Sequence, residues 1–195
     1  MEIILIRHGE TSWNVERRLQ GNKDISLNEN GFRQAKERAK YFLNKKIIPD
    51  KIFCSNKIRA KQTAQVIAKK FFLDVFEIEG IEEISFGNWE GYRWDDLTKY
   101  FEVSFEEWNK NKKTSKSHGG ENYIDVKNRV IPVLKNIYEK SKESDTIFVV
   151  THGAIIMTIL LELKDKNWKD TKPELIPENL GYVTLNSEEI EKILE

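Results

Sequence analysis

The apolar residues of this chain gather in short blocks that follow two different rhythms. Ile3-Ile4-Leu5-Ile6, Lys51-Ile52-Phe53-Cys54, Val75 to Ile78 and Thr146 to Val150 are brief, nearly continuous runs. Such runs mark strands buried on both faces. Between them the spacing turns helical. Leu27 to Asn44 places Ala35, Ala39, Phe42 and Leu43 on one side and Lys, Arg and Glu on the other, and Pro49 stops any continuation. Ser55 or Asn56 is positioned to cap a helix that runs to about Phe72, with Arg59 in or near its first turn. Glu121 to about Ser141 turns Val126, Val130, Val133, Leu134 and Ile137 inward, and Pro132 within it predicts a kink. A helix from Ala154 to Leu163 follows the fourth run, and Tyr182 to Leu185 reads as a final edge strand. This alternation predicts an α/β fold, a three-layer α/β/α sandwich around a mostly parallel sheet. In such sheets ligands bind beyond the carboxyl ends of the strands.

One segment keeps neither rhythm. From Gly80 to Gly120 the chain holds Phe86, Trp89, Tyr92, Trp94, Phe101, Phe105 and Trp108, then a lysine-rich tract from Lys110 to Lys116. We read it as an excursion of loops and short helices over one face of the sheet. Its aromatics fit either a cap that touches a ligand or ordinary packing. Its lysines fit either a solvated face or a lure for an anionic substrate.

Length and charge narrow the reading. At 195 residues the chain is expected to form one domain, 1–195, with the excursion at about 80–120. Lys+Arg 32 against Asp+Glu 32 gives a net charge of +0, so no global field draws the protein to nucleic acid or to an anionic membrane. The apolar stretch Ala154–Met157, resumed at Ile159–Leu161, is far short of the roughly 20 residues of a membrane span. After Met1-Glu2 only the four apolar residues Ile3 to Ile6 precede Arg7, which predicts no secretory signal, and the lone Cys54 excludes an intrachain disulfide. These features predict a cytoplasmic location. Oligomeric state is left open, a homodimer included.

Each of the 3 histidines precedes a glycine: His8-Gly9, His118-Gly119 and His152-Gly153. Two of these pairs end core strands. Arg7 and His8 leave the first strand, Arg59 opens the helix after the second, and His152 leaves the fourth. Two guanidiniums, two imidazoles and nearby helix N-termini on one rim suit an anion, and the planar guanidinium fork suits phosphate oxygens. A zinc site using His8, His118, His152 and Glu83 is the competing arrangement. Arg7 beside His8 and a nearby Arg59 argue against a divalent cation.

The stretch Ile6-Arg7-His8-Gly9-Glu10-Thr11-Ser12-Trp13-Asn14 resembles the signature of the histidine phosphatase superfamily, the phosphoglycerate-mutase-like group, in its short phosphatase branch. Leu27 to Gly31 before Gln34-Ala35, Cys54 to Ala64, Glu82 to Gly91, Gly119-Gly120-Glu121 and Val150 to Gly153 resemble its later motifs. The resemblance implies a metal-independent phosphomonoesterase acting on small phosphate esters through a phosphohistidine, with no cofactor. It makes His8 the nucleophile, its other ring nitrogen holding a proton against a carbonyl near Gly9. Arg7, Arg59 and His152 would stabilise the transferring phosphoryl group. Glu83 aligns with the family's general acid, Glu82 and Glu90 being rivals in the same loop.

Asn14, Gln20 and the Gly153 N–H are implied as phosphate donors, and Thr11 as the cap of the turn after His8. Glu121 would orient the site or simply favour a helix N-terminus, and His118 is read as structural. Phosphoglycerate mutase and α-ribazole phosphatase are the alternatives, with a silent phosphate-binding module behind them. Mutases of this group are longer and carry Tyr before the glycine of the acid loop, where this chain has Phe86 before Gly87.

Overall fold

The computed structural model of the protein describes residues 1–163 and 176–194. Five strands form one sheet: β1 (Glu2–Arg7), β2 (Lys51–Ser55), β3 (Val75–Ile78), β4 (Thr146–Thr151) and β5 (Tyr182–Asn186). Their order is β3-β2-β4-β1-β5, with every pairing parallel except the antiparallel edge pair β1–β5. The central strands explain their unbroken apolar runs. Ile3 and Leu5 of β1, with Ile147 and Val149 of β4, join the core on one face. Ile4 and Ile6, with Phe148 and Val150, join the core on the other. Because successive side chains point to opposite faces, a strand covered on both sides must be apolar at every position.

Helices α2 (Glu29–Asn44) and α3 (Ile58–Phe71) cover one face. The other carries α5 (Tyr123–Glu139), α6 (Gly153–Leu163) and α7 (Ser187–Leu194). α7 was not foreseen, its eight residues being too few to establish a period. A four-residue helix, α1 (Ser12–Val15), follows β1. α3 is not capped by Ser55 or Asn56. Its N-cap is Lys57, whose side chain makes no cap hydrogen bond, and the orphan Ile58 N–H donates instead to Asp24 Oδ1 at 2.6 Å. That cap comes from 34 residues away and leaves no local trace. α5 begins after the Asn122 capping box and runs through Pro132 as one helix, so the proline does not divide it.

The excursion is more regular than its sequence suggests. It holds a 14-residue helix, α4 (Leu97–Lys110), broken at Phe101 where φ is −138° and ψ is 33°. It has its own aromatic centre. The Trp89 ring is buried and packs against Phe105, Trp108 and Phe101 at centroid distances of 5.7, 5.9 and 6.2 Å. The missing sheet rhythm reflects side chains that pack on one another and on a helix.

Candidate active site

Three strand ends build the site at the carboxyl edge of the sheet. β1 delivers Arg7 and His8, β2 ends at Ser55, and β4 leads into His152. The exit of β1 passes close to the start of α2: a Cβ on Gly9 would lie 2.8 Å from the Gly31 carbonyl oxygen, and one on Gly31 only 2.2 Å from the Glu10 oxygen. The Gly9 N–H donates to Thr63 Oγ1 at 3.0 Å, and that hydroxyl donates to the Arg59 carbonyl at 2.7 Å. One threonine thus fastens the β1 exit to the helix turn bearing Arg59.

The His8 ring is buried, and its Nδ1 lies 2.7 Å from the Gly9 carbonyl oxygen. A carbonyl only accepts, so Nδ1 carries the proton and Nε2 keeps its lone pair. Burial, then the charges of Arg59 and Arg7, push the imidazolium well below the ordinary histidine range, against a smaller opposing effect of the Gly9 carbonyl. The His152 ring sits 5.2 Å from His8. Its Nε2 is 2.9 Å from Ser55 Oγ, and its buried Nδ1 has no hydrogen-bond partner among the described residues. Burial first, then Arg59, also hold His152 neutral.

Both guanidiniums are anchored by carbonyls. Arg59 donates to the Lys23 and Gly21 oxygens at 2.8 and 2.9 Å, and Arg7 to the Pro177 oxygen at 2.8 Å. The Nε atoms of both are buried and have no hydrogen-bond partner among the described residues. Burial lowers the Arg59 pKa to about 10 despite the opposing carboxyl of Glu83, so it stays cationic at neutral pH. Keeping two such cations dry is costly unless an anion joins them.

The structure separates the three candidate acids. Glu82 accepts from the Gly80 N–H, and Glu90 from the N–H groups of Asn22 and Phe86. Glu83 alone of the three lines the cavity with Arg7, His8 and Arg59. Its Oε1 accepts from the N–H of Ile84 at 3.1 Å and of Ala154, in the first turn of α6, at 3.2 Å. Its Oε2 makes no hydrogen bond among the described residues. Burial raises its pKa and outweighs Arg59, Arg7 and the two amides, which act to lower it. The loop is held from behind. Arg129 of α5 donates to the Gly80 and Glu83 carbonyls at 3.0 and 3.3 Å and grips both oxygens of Glu121 at 2.8 and 3.0 Å, while Glu121 accepts from the Ser85 N–H. Thr151 fixes the Ile81 carbonyl at 2.7 Å.

The cavity, of about 480 Å³, brings together Arg7, His8, Asn14, Gln20, Arg59, Glu83 and Gly153. It does not include Thr11, Glu121 or His152. Thr11 instead caps α1, the turn after His8, in a reciprocal capping box with Asn14, and Glu121 holds the loop of Glu83 through Ser85 and Arg129. Thr11 is buried behind the wall, where its hydroxyl faces Asn14 Oδ1 at 3.0 Å and Gln20 Oε1 at 3.1 Å. Both amide oxygens therefore turn inward, leaving their NH₂ groups as donors on the cavity side. Ser55, Thr63, Tyr123, Arg129 and Asn179, which donates to the His8 carbonyl at 3.0 Å, were missed. Thr63 could have been found, since it lies one helical turn past Arg59. Asn179 had no such signal. No three His, Cys, Asp or Glu side chains among the described residues could hold a metal ion, and no described helix is long and apolar enough to cross a membrane.

A neutral imidazole, two anchored guanidiniums and a buried carboxyl on one rim define a phosphoryl-handling site. The sequence model of the histidine phosphatase superfamily (branch 1) matches residues 3–194, and the chain belongs to that family as a phosphatase-type enzyme. It is 34% identical over 164 residues, 83% of this chain and 68% of the other, to a metal-independent phosphoserine phosphatase of Arabidopsis thaliana. It is 31% identical over 166 residues, 82% and 75% of the two chains, to a probable phosphoglycerate mutase of Salmonella paratyphi C. The structure of a mycobacterial glucosyl-3-phosphoglycerate phosphatase superposes with a TM-score of 0.84 at 25% identity, covering 95% of this chain and 92% of that one.

Proposed function

We propose that the protein is a metal-independent phosphomonoesterase for small phosphorylated metabolites that works through a phosphohistidine at His8. The observation that carries this reading is the Nδ1 contact with the Gly9 carbonyl. It fixes the tautomer that leaves Nε2 nucleophilic, inside a cradle whose guanidiniums keep unsatisfied donors. In the first step Nε2 attacks phosphorus and the ester oxygen leaves. Arg7 and Arg59, which line the cavity, stabilise the equatorial oxygens, and His152, held neutral 5.2 Å from the His8 ring, completes the cradle behind them. Glu83, kept protonated by burial and further by a bound dianion, gives its proton to the leaving alkoxide. In the second step the same carboxylate takes a proton from water, which attacks the phosphohistidine and releases phosphate. The relatives named for phosphoserine and glucosyl-3-phosphoglycerate support a metabolite ester as substrate. The relative named as a probable mutase keeps phosphoryl return to a second alcohol as the alternative.

Rapid acid-free quenching with ³²P-labelled substrate tests the intermediate. Wild type should yield an acid-labile, base-stable phosphoprotein and His8→Ala none, with turnover lost. Label that attaches equally to His8→Ala overturns the assignment. A 2,3-bisphosphoglycerate-dependent mutase rate exceeding hydrolysis would favour the alternative.

A further inference from the structure

The cavity is lined by two chemically different sets of residues: the cationic cradle, and the aromatic rings of Phe86, Trp94, Phe105 and Trp108 of the excursion together with Lys112. Phe105 and Trp108 stack with an interplanar angle of 14°, and the Lys112 Nζ lies 4.8 Å from the Trp108 ring centroid. The other outer cations are already neutralised: Arg17 pairs with Asp95 at 3.1 Å and Arg18 with Glu16 at 2.5 Å. So are Lys110 and Lys116, paired with Glu106 and Asp125 and pointing into solvent. Lys112 has no carboxylate partner among the described residues. It is half-buried, and that burial alone pushes its ammonium pKa down. A partly dehydrated cation compensated only by an aromatic face gains more from an incoming anion than an exposed, paired lysine does.

We propose that Lys112 determines specificity by receiving a second anionic group carried on the leaving alcohol, with Trp108 and Phe105 packing along the apolar segment between that group and the phosphate. The substrates favoured are phosphate monoesters bearing a remote carboxylate or second phosphate. This rests on the phosphomonoesterase reading above.

Two isosteric esters, 4-carboxyphenyl phosphate and 4-carbamoylphenyl phosphate, differ at the far end by one charge. Wild type should prefer the carboxylate about tenfold in kcat/KM, the scale of one partly screened charge-assisted contact. Lys112→Met should bring the ratio to about one, the loss falling on KM for the carboxylate ester. Lys112→Arg should restore the preference. A wild type that hydrolyses both esters equally overturns this inference alone, as does a Lys112→Met ratio equal to that of wild type. A wild type inert toward both overturns the phosphomonoesterase reading and this inference with it.

Discussion

Arg129 never reaches the cavity, yet its removal should act on one half-reaction. Its guanidinium donates to two carbonyls of the acid loop and to both oxygens of Glu121. Arg129→Gln can keep at most one of these contacts and leaves Glu121 without its counter-charge. Charge-assisted hydrogen bonds contribute about 1.5–3 kcal/mol each. These side chains are 22% and 25% exposed, which places them toward the low end, and the glutamine recovers part of the loss. The net cost is about 2–3 kcal/mol, a Tm fall of roughly 5–10 °C for a chain of this size. The kinetic effect is sharper. With the Gly80 and Glu83 carbonyls released, the Glu83 carboxyl drifts, and a displacement of about 1 Å costs roughly 10² in rate. Alkyl phosphates, whose leaving groups need the proton, should therefore slow about 10²-fold, while p-nitrophenyl phosphate should fall less than about tenfold. Steady-state kinetics well below the variant's Tm measure the two. Glu83→Gln should show the same split, and the double variant should lose little more, because both changes remove one function. Equal declines on both substrates, or a folded Arg129→Gln with normal alkyl turnover, would refute the reasoning.

Acidification should destabilise the fold through its histidines. His8 and His152 titrate well below the ordinary value. Below about pH 6.5 the unfolded chain therefore binds protons that the folded one refuses, and stability falls with pH. Glu83 runs in the opposite sense, since its raised pKa adds stability that fades as pH rises through that value. Calorimetry from pH 7 to 5 should find a shallower Tm decline in His152→Asn than in wild type, and parallel curves would contradict this. Gly31→Ala, whose Cβ would sit 2.2 Å from a main-chain oxygen, should cost about 1–3 kcal/mol and lower Tm accordingly. An unchanged Tm would show that the α2 start yields more easily than its packing suggests.

The strands and the cluster of Arg7, His8, Arg59 and His152 were legible because their signals are local. Four apolar runs marked the central sheet, and Arg7, His8, Arg59 and His152 stood at its carboxyl edge by chain position alone. The support for these groups was hidden because it is non-local. Asp24 caps α3, Asn179 binds the His8 carbonyl and Arg129 holds a loop 46 residues away. Thr11 takes the capping task its position after His8 suggested, and of the two tasks open to Glu121 it takes the orienting one, through Ser85 and Arg129. Glu82, Glu83 and Glu90 could not be told apart by type or loop position, whereas in the structure Glu83 alone of the three lines the cavity.

Phe105 and Trp108 reach the cavity from α4 and not from a strand end, and this has an evolutionary corollary. Arg7, His8 and His152 stand at strand ends, whereas Phe105, Trp108 and Lys112 belong to α4 and the turn after it, although the two aromatic rings share the core that covers β1 and β4. Under the reading proposed above, substitutions on α4 and at Lys112, beyond the loop that carries Glu83, would retune which alcohol is accepted while leaving Arg7, His8, Arg59 and Glu83 in place. A lineage using this scaffold would be expected to diversify there first.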